Sequence, residues 1–133
     1  MDISVFGLGY VGTVTAACFA KCHHIVIGVD IKGEKSEAIN HGKAPFFEKD
    51  LDDLICQATE MGNLRATIDI KDAIDNSDIS FICVGTPSNP DGSLNLDHVK
   101  KVCEDIGTAL KYKNGFHIIV IEVQFYLAAQ IIY

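Results

Sequence analysis

The sequence is poor in basic residues and contains no long hydrophobic run. Its 11 lysines and arginines are outnumbered by 18 acidic residues, which gives a formal net charge of −7. An acidic chain without basic clusters is a poor candidate for binding nucleic acid or an anionic membrane surface. No segment reaches the roughly 18 to 20 consecutive apolar residues that a membrane-spanning helix needs. We therefore expect no nucleic-acid partner and no membrane insertion.

Metal-binding cysteine motifs and a signal peptide are also missing. The five cysteines form no Cys-x-x-Cys pair and no cysteine–histidine set at zinc-site spacing, so we expect no metal. Reduced thiols that pack as small hydrophobic side chains are the better interpretation. The first strand begins at once, without the basic segment of a signal peptide. These observations favour a cytoplasmic protein.

Strand-like and helix-like segments alternate along the 133 residues, which suffice for one domain but not for two. The alternation predicts an α/β fold of the Rossmann type, a doubly wound parallel sheet in three αβα layers. Apolar runs predict strands at residues 3–6, 25–29, 64–68, 79–84 and 117–121. Helices are predicted at residues 11–21, 33–40 and 71–76. Two further helices are predicted to begin at Leu51, with Asp50 as its N-cap, and at Asp97.

The first thirty residues hold the most informative motif. A strand leads into a Gly-x-Gly-x-x-Gly turn, which is followed by a helix and a second strand that ends on Asp30. Gly7 can supply the tight turn, Gly9 lets the backbone approach a diphosphate, and Gly12 lets the helix lie near the strand. The free N–H groups at the start of that helix then face the phosphates. This arrangement predicts a dinucleotide site, the alternative being a glycine-rich turn that binds nothing.

The acid after the second strand indicates which dinucleotide is bound. Asp30 lies 18 residues after Gly12, near the usual separation of about 20. A carboxylate there accepts hydrogen bonds from both ribose hydroxyls and repels a 2′-phosphate, so NAD is favoured over NADP. Lys32 and Lys35 soften that preference because they are cations. Lys35 can also reach the adenosine side of a cofactor, or it is simply a solvated helix lysine.

A further loop is expected at the same edge of the sheet. Ligands of doubly wound sheets lie beyond the carboxyl ends of the strands, near the point where the strand order reverses. Gly85, Thr86 and Pro87 follow a buried strand there. Gly85 leaves room for a ligand and Thr86 offers a hydroxyl, although the three residues can also act as a plain strand terminator.

Several segments of the chain carry a family likeness. They are residues 3–12, 27–30, 39–43, 77–88, 92–96 and 102–107. Together they resemble the nucleotide-sugar 6-dehydrogenases, the UDP-glucose and GDP-mannose dehydrogenases. The segment Phe-Ile-Cys-Val-Gly-Thr-Pro-Ser, at residues 81–88, is most similar to the GDP-mannose branch of the family. The resemblance implies oxidation of a sugar C6 alcohol to a carboxylate with two NAD, through a cysteine thioester. By motif match, it places NAD contacts at Tyr10, Val11, Asp30, Lys35 and Thr86.

The sequence departs from the family pattern in three ways. The family's Glu-Pro-Gly-Leu loop is replaced by Glu-Lys-Asp-Leu at residues 48–51, which loses a rigid turn. Its Arg-Ser-Thr-Val is replaced by Glu-Val-Gln-Phe at residues 122–125, so the expected threonine is Gln124. The catalytic cysteine, lysine and asparagine of the family fall beyond residue 133. Cys18, Cys83 and Cys103 are expected in the core or mid-strand, where buried thiols are poor nucleophiles.

We therefore expect an NAD-binding domain at residues 1–121 and a divergent apolar tail at residues 122–133, from truncation or a frameshift. Such a chain has no catalytic residues of its own and is expected to be inactive alone. A UDP-glucose dehydrogenase cofactor domain and a stand-alone dinucleotide-binding module remain alternatives. In a third alternative, the chain binds no ligand and persists by self-association. Residues 125–133 are nearly all apolar, so they either pack on the sheet or promote a homo-oligomer.

Overall fold

A five-stranded parallel sheet forms the centre of the molecule. The structure, a computed structural model, describes residues 1–122. The sheet has the order β3-β2-β1-β4-β5, and every pairing within it is parallel. The strands are β1 (Asp2–Phe6), β2 (Ile25–Val29), β3 (Leu64–Thr67), β4 (Ile79–Ile82) and β5 (Ile118–Ile121). The order reverses at β1, so the chain has its switch point beside the glycine turn.

Helices cover both faces of this sheet. They are α1 (Tyr10–Lys21), α2 (Gly33–Asn40), α3 (Leu51–Glu60), α4 (Ile70–Asp75) and α5 (Asp97–Leu110). One buried cluster joins α1, α2 and α3 to the sheet, and a second joins α4 and α5 to its other face. The expected Rossmann-type, three-layer αβα fold is therefore confirmed. The predicted elements are confirmed to within two residues at the ends they specified.

Side-chain alternation along the strands divides the core between the two faces. Val5 of β1 belongs to the cluster under α1, whereas the next residue, Phe6, belongs to the cluster under α4 and α5. Small residues then let α1 approach the sheet. Ala16 and Ala17 of this helix are completely buried. The start of α1 is thereby held close to the end of β1.

Three predictions about individual residues are wrong. Asp50 precedes α3, but its side chain makes no capping hydrogen bond, and its backbone is left-handed, with φ 63°. The family loop has glycine at that position, which adopts this conformation without strain. Cys18 is exposed rather than part of the core. Cys83 is buried, as expected, but it follows the last residue of β4 instead of lying mid-strand. Cys103 packs half-buried on the second cluster, as its helix position predicted.

Within residues 1–122, no helix is long and apolar enough to cross a membrane. Gln124 and the apolar segment at residues 125–133 lie outside the described residues, so the expectations about them stay predictions.

Candidate functional site

The glycine turn is built by close contacts that leave no room for side chains. Gly7 has φ +95°, and a Cβ there would lie 3.0 Å from the carbonyl carbon and oxygen of Cys83. A Cβ on Gly12 would lie 1.8 Å from the Gly7 carbonyl oxygen. Both positions therefore require glycine for packing alone. They bring the first turn of α1 directly beneath the end of β1.

Gly9 differs from these two glycines because no contact within residues 1–122 excludes a side chain there. A Cβ built there meets no atom within 4 Å, and the residue is exposed at the start of α1. The first turn of α1 contains no acidic side chain, and Gly9 has none with which to cap the helix. The leading N–H groups of a helix have no acceptor within the helix. Open space, free donors and the positive end of the helix dipole thus coincide at Gly9, as an anion site requires.

Asp30 stands at the end of β2 and faces the same turn. Its carboxylate accepts hydrogen bonds from the Leu8 N–H at 2.8 Å and from the Lys32 N–H at 2.9 Å. Lys35 Nζ lies 3.2 Å from Asp30 Oδ2, so this lysine is not merely a solvated helix residue. A carboxylate has about four lone-pair sites, and three donors leave capacity for a hydroxyl. The acid is therefore held in place and can still accept further hydrogen bonds.

A continuous cleft runs over the carboxyl ends of the strands. One part, of about 410 Å³, extends from Gly9 past Asp30 and Lys35. The other, of about 860 Å³, extends from Gly9 past Tyr10 and Thr86. The two parts share Gly9, Cys83, Val84, Gly85 and His98 as walls. The two parts thus meet beside the glycine turn, and one of them extends toward an acid.

The structure brings the sequence-predicted site residues together. Eight of them line this cleft, namely Gly7, Gly9, Tyr10, Val11, Asp30, Lys35, Gly85 and Thr86. Gly12 lies beneath the cleft, where it packs against Gly7. Three separate segments of the chain contribute, each following a different strand, so the grouping depends on the sheet topology and not on proximity in sequence.

Tyr10 connects the glycine turn to the loop before α3. A hydrogen bond to the Glu48 carboxylate raises the pKa of the Tyr10 hydroxyl, and the negative charge of Glu48 adds to the shift. The ring lies 5.4 Å from that of Phe46, measured between centroids. Although 58% exposed, Tyr10 is held on one side of the cleft by these two contacts.

Several cleft residues escaped the sequence analysis. They are Ile68, Ile70, His98, Lys101 and Glu122. His98 and Lys101 belong to the first two turns of α5, which begins at the same sheet edge as α1 because both helices follow parallel strands. That topology was predicted and could have indicated the start of α5. The position of Glu122, at the end of β5, follows from the same rule.

Cys83 lies at the centre of the cleft floor but is a poor nucleophile. Burial raises the pKa of its thiol to about 12, and the nearby Glu122 carboxylate adds to the shift. Its sulfur lies 3.5 Å from Glu122 Oε2. A thiol with so high a pKa remains protonated at neutral pH. Among residues 1–122, no cluster of three histidines, cysteines or acids could hold a metal ion.

Comparison with known proteins gives a consistent family. Residues 1–129 match the model for the UDP-glucose/GDP-mannose dehydrogenase family, NAD-binding domain. The chain is 48% identical over 121 residues to GDP-mannose 6-dehydrogenase from Pseudomonas syringae pv. tomato, which covers 91% of this chain and 28% of the relative. It is 38% identical over 120 residues to UDP-glucose 6-dehydrogenase from Haloferax volcanii, covering 90% of this chain and 27% of that one.

A solved structure agrees with the sequence relatives. The crystal structure of a ternary complex of GDP-mannose dehydrogenase from Pseudomonas aeruginosa superposes with a TM-score of 0.92 at 46% identity. The match covers 94% of this chain and 29% of that one. The chain therefore spans less than a third of the length of the relatives it matches.

Proposed function

We propose that this chain, which belongs to the UDP-glucose/GDP-mannose dehydrogenase family and forms its NAD-binding domain, holds NAD across the cleft between Asp30 and Thr86. The observation that carries the proposal is the coincidence at Gly9 of open space with the unpaired amides of α1. Asp30 stands to one side of that point and Thr86 to the other. A dinucleotide has this same order, with a diphosphate between two nucleosides.

Each part of the cleft suits one part of the cofactor. The diphosphate lies on Gly9 and the first turn of α1, where backbone amides supply the donors. The adenosine ribose lies against Asp30, with Lys35 fixing the carboxylate, and the adenine enters the part lined by Ile68 and Ile70. NAD supplies the hydride acceptor. The nicotinamide half lies beside Tyr10, Val11, Gly85 and Thr86.

We extend the proposal to the substrate class of the whole protein. The GDP-mannose relative is more similar to this chain than the UDP-glucose relative, at 48% against 38% identity. GDP-mannose is therefore the preferred nucleotide sugar, and UDP-glucose is the alternative. The family's catalytic cysteine region lies outside this chain, so a nucleotide sugar becomes a partner only when that region is supplied.

Calorimetric titration with NAD and NADP tests the cofactor proposal. We expect NAD to bind more tightly than NADP. The Asp30→Asn substitution should weaken NAD binding and reduce the difference in affinity between NAD and NADP. Asp75→Asn is a matched control, because it removes a carboxylate that pairs with Lys71 on the surface. Absence of binding heat and of any NAD-dependent change in melting temperature would reject the proposal, as would a stronger affinity for NADP.

An assay for NADH with GDP-mannose or UDP-glucose tests the proposed inactivity of the isolated chain. We expect no NADH from either sugar, because Cys83 is buried and protonated and the family's cysteine region is absent from these 133 residues. NADH formation would contradict this part of the proposal without affecting cofactor binding. A stand-alone dinucleotide-binding module would behave in the same way, except that adding the remaining domain would restore nothing.

Location and self-association complete the proposal. A cytoplasmic site suits NAD and the five free thiols, at Cys18, Cys22, Cys56, Cys83 and Cys103. A homo-oligomer suits the edge strand β5, whose Ile118, Ile119 and Ile121 are exposed. Light scattering behind a sizing column measures the second point, and a monomer at all concentrations would reject it.

A further inference from the structure

A chain of polar side chains crosses the sheet near the amino ends of the strands, opposite the cleft. Ser4 of β1 and Ser80 of β4 have no exposed surface, and their hydroxyl oxygens lie 2.7 Å apart. Ser77 Oγ lies 3.0 Å from Ser4 Oγ and donates to the Ala73 carbonyl at 2.7 Å. At the other end, Ser80 Oγ lies 2.8 Å from Nε2 of His117. His117 immediately precedes β5, so the chain joins three neighbouring strands.

Lys113 fixes the tautomer of the His117 ring. Its ammonium donates to the Ile74 carbonyl at 2.7 Å and to the Ser77 carbonyl, and lies 3.2 Å from His117 Nδ1. An ammonium has three protons and no lone pair, so Nδ1 must accept. Nε2 then carries the ring proton and donates to Ser80. The hydroxyls of Ser80, Ser4 and Ser77 continue the chain across the sheet, and Ser77 has the Ser4 hydroxyl and the Ala73 carbonyl as acceptors for its one proton.

We propose that His117 is an acid-sensitive clamp: its neutral ring ties the edge strand β5 to β4 and β1, and its protonated ring cannot. A proton on Nδ1 would face the Lys113 ammonium, placing two donors and two positive charges 3.2 Å apart. Either Lys113 must leave the two carbonyls, or the ring must leave Ser80. Either movement breaks hydrogen bonds to buried or half-buried polar groups, which destabilises the folded state.

The charged groups around the ring determine the sign of the pH dependence. Burial and the positive charge of Lys113 lower the pKa of His117. A hydrogen bond with the Ser77 backbone and the negative charge of Asp78 act in the opposite direction. The folded ring therefore binds its proton at a lower pH than the unfolded ring, whose pKa is about 6.5. The contribution of the neutral ring to the stability of the fold is therefore complete above a pH of about 6.5. It is lost as the pH falls through the lowered pKa of the folded ring.

The strand β5 is the element that should respond. It has four residues, it lies at the edge of the sheet, and its partner there is β4. Three of its four residues are exposed, so little apolar burial opposes its release. The effect of acid is therefore expected in β5 before it reaches β1 or β2.

Two measurements on the full 133-residue chain test the clamp. The first is NMR titration of the five histidine rings. A His117 pKa below the ordinary value is expected, and one at or above it would overturn the proposal. The second is amide hydrogen exchange at about pH 7.5 and about pH 5.5, corrected for the intrinsic pH effect. At the lower pH, β5 should lose protection several-fold more than β1, and equal losses would contradict the clamp.

His117→Gln supplies the matched variant. Glutamine keeps an acceptor for Lys113 and a donor for Ser80, but it cannot titrate. We expect β5 in this variant to keep the same protection at both pH values, whereas His41→Gln, a change at an exposed ring, leaves the wild-type loss in place. If His117→Gln loses protection with acid as the wild type does, His117 is not the clamp. The wild-type titration decides the question even if the variant does not fold.

Discussion

The glycine turn allows folding and cofactor binding to be separated by two substitutions, each of which adds a single methyl group. Gly12→Ala places a Cβ 1.8 Å from the Gly7 carbonyl oxygen, whereas Gly9→Ala places one where nothing lies within 4 Å. The first methyl group meets rigid backbone and cannot rotate away. The second projects into the cleft, where we propose that the diphosphate lies. The two variants should therefore fail in different assays.

The expected magnitudes follow from these contacts. Overpacking costs about 1–3 kcal/mol, and the better helix propensity of alanine returns about 1 kcal/mol or less at the start of a helix. We take the upper end for Gly12→Ala because its clash is with backbone, and expect a net loss of about 2 kcal/mol. For a domain of this size, that corresponds to a fall in Tm of roughly 8 °C. Gly9→Ala should change the free energy of unfolding by about 1 kcal/mol or less, since alanine is only a poorer N-cap.

Binding should show the opposite order. Gly9→Ala should lower the affinity for NAD about tenfold or more, because the diphosphate can no longer reach the amides of α1. A tenfold loss of affinity corresponds to about 1.4 kcal/mol of binding free energy. Thermal unfolding and calorimetric titration of both variants, with wild type alongside, measure the two effects. A Gly9→Ala protein that binds NAD as wild type does would refute the placement of the diphosphate. An unchanged Tm for Gly12→Ala would refute the packing of α1 against the turn.

Three other features of the structure give predictions. At about pH 8, iodoacetamide should modify the exposed Cys18 and leave Cys83 intact, because burial raises the pKa of the Cys83 thiol to about 12. Peptide mass spectrometry measures this, and a modified Cys83 would contradict the prediction. Thr13 Oγ1 is buried without a hydrogen-bond partner among the described residues, so Thr13→Val should stabilise by about 1 kcal/mol in denaturant unfolding, and destabilisation would indicate an undetected partner. Asp50 has φ 63°, so Asp50→Gly should be more stable than Asp50→Ala by about 1 kcal/mol, and equal stabilities would argue against the left-handed backbone.

Most of the fold was predictable because the signals that define it are local. Apolar runs and glycine or asparagine breaks predicted every strand, and the topology followed from their alternation with helices. The errors arose where one backbone angle or one helix face decided the outcome. Asp50 has the residue type of a helix cap but not the conformation, and Cys18 is exposed although the neighbouring Ala17 is buried. Neither property leaves a mark in the sequence pattern.

The site was predictable to a lesser degree. The motif predicted Gly7, Gly9, Gly12 and Asp30 together because they serve one turn. His98 and the other cleft residues of α5 come from a helix that starts more than sixty residues after Asp30, and only the assembled sheet brings them to the same edge. The His117 network was missed entirely, because its members look like ordinary strand and loop residues until three strands pair.

The geometry also shows why the fingerprint alone is weak evidence for binding. Gly7 and Gly12 are required by protein contacts, and Asp30 accepts a hydrogen bond from the Leu8 amide within the turn itself. Leu8 is completely buried, so loss of that acceptor would leave its amide unpaired and destabilise the turn. Three of the four signature residues therefore stabilise the fold, and a chain that had lost its cofactor would still be selected to keep them. Gly9 is the exception: among residues 1–122, no atom lies within 4 Å of a Cβ built there, and this open position is where we propose that the diphosphate lies.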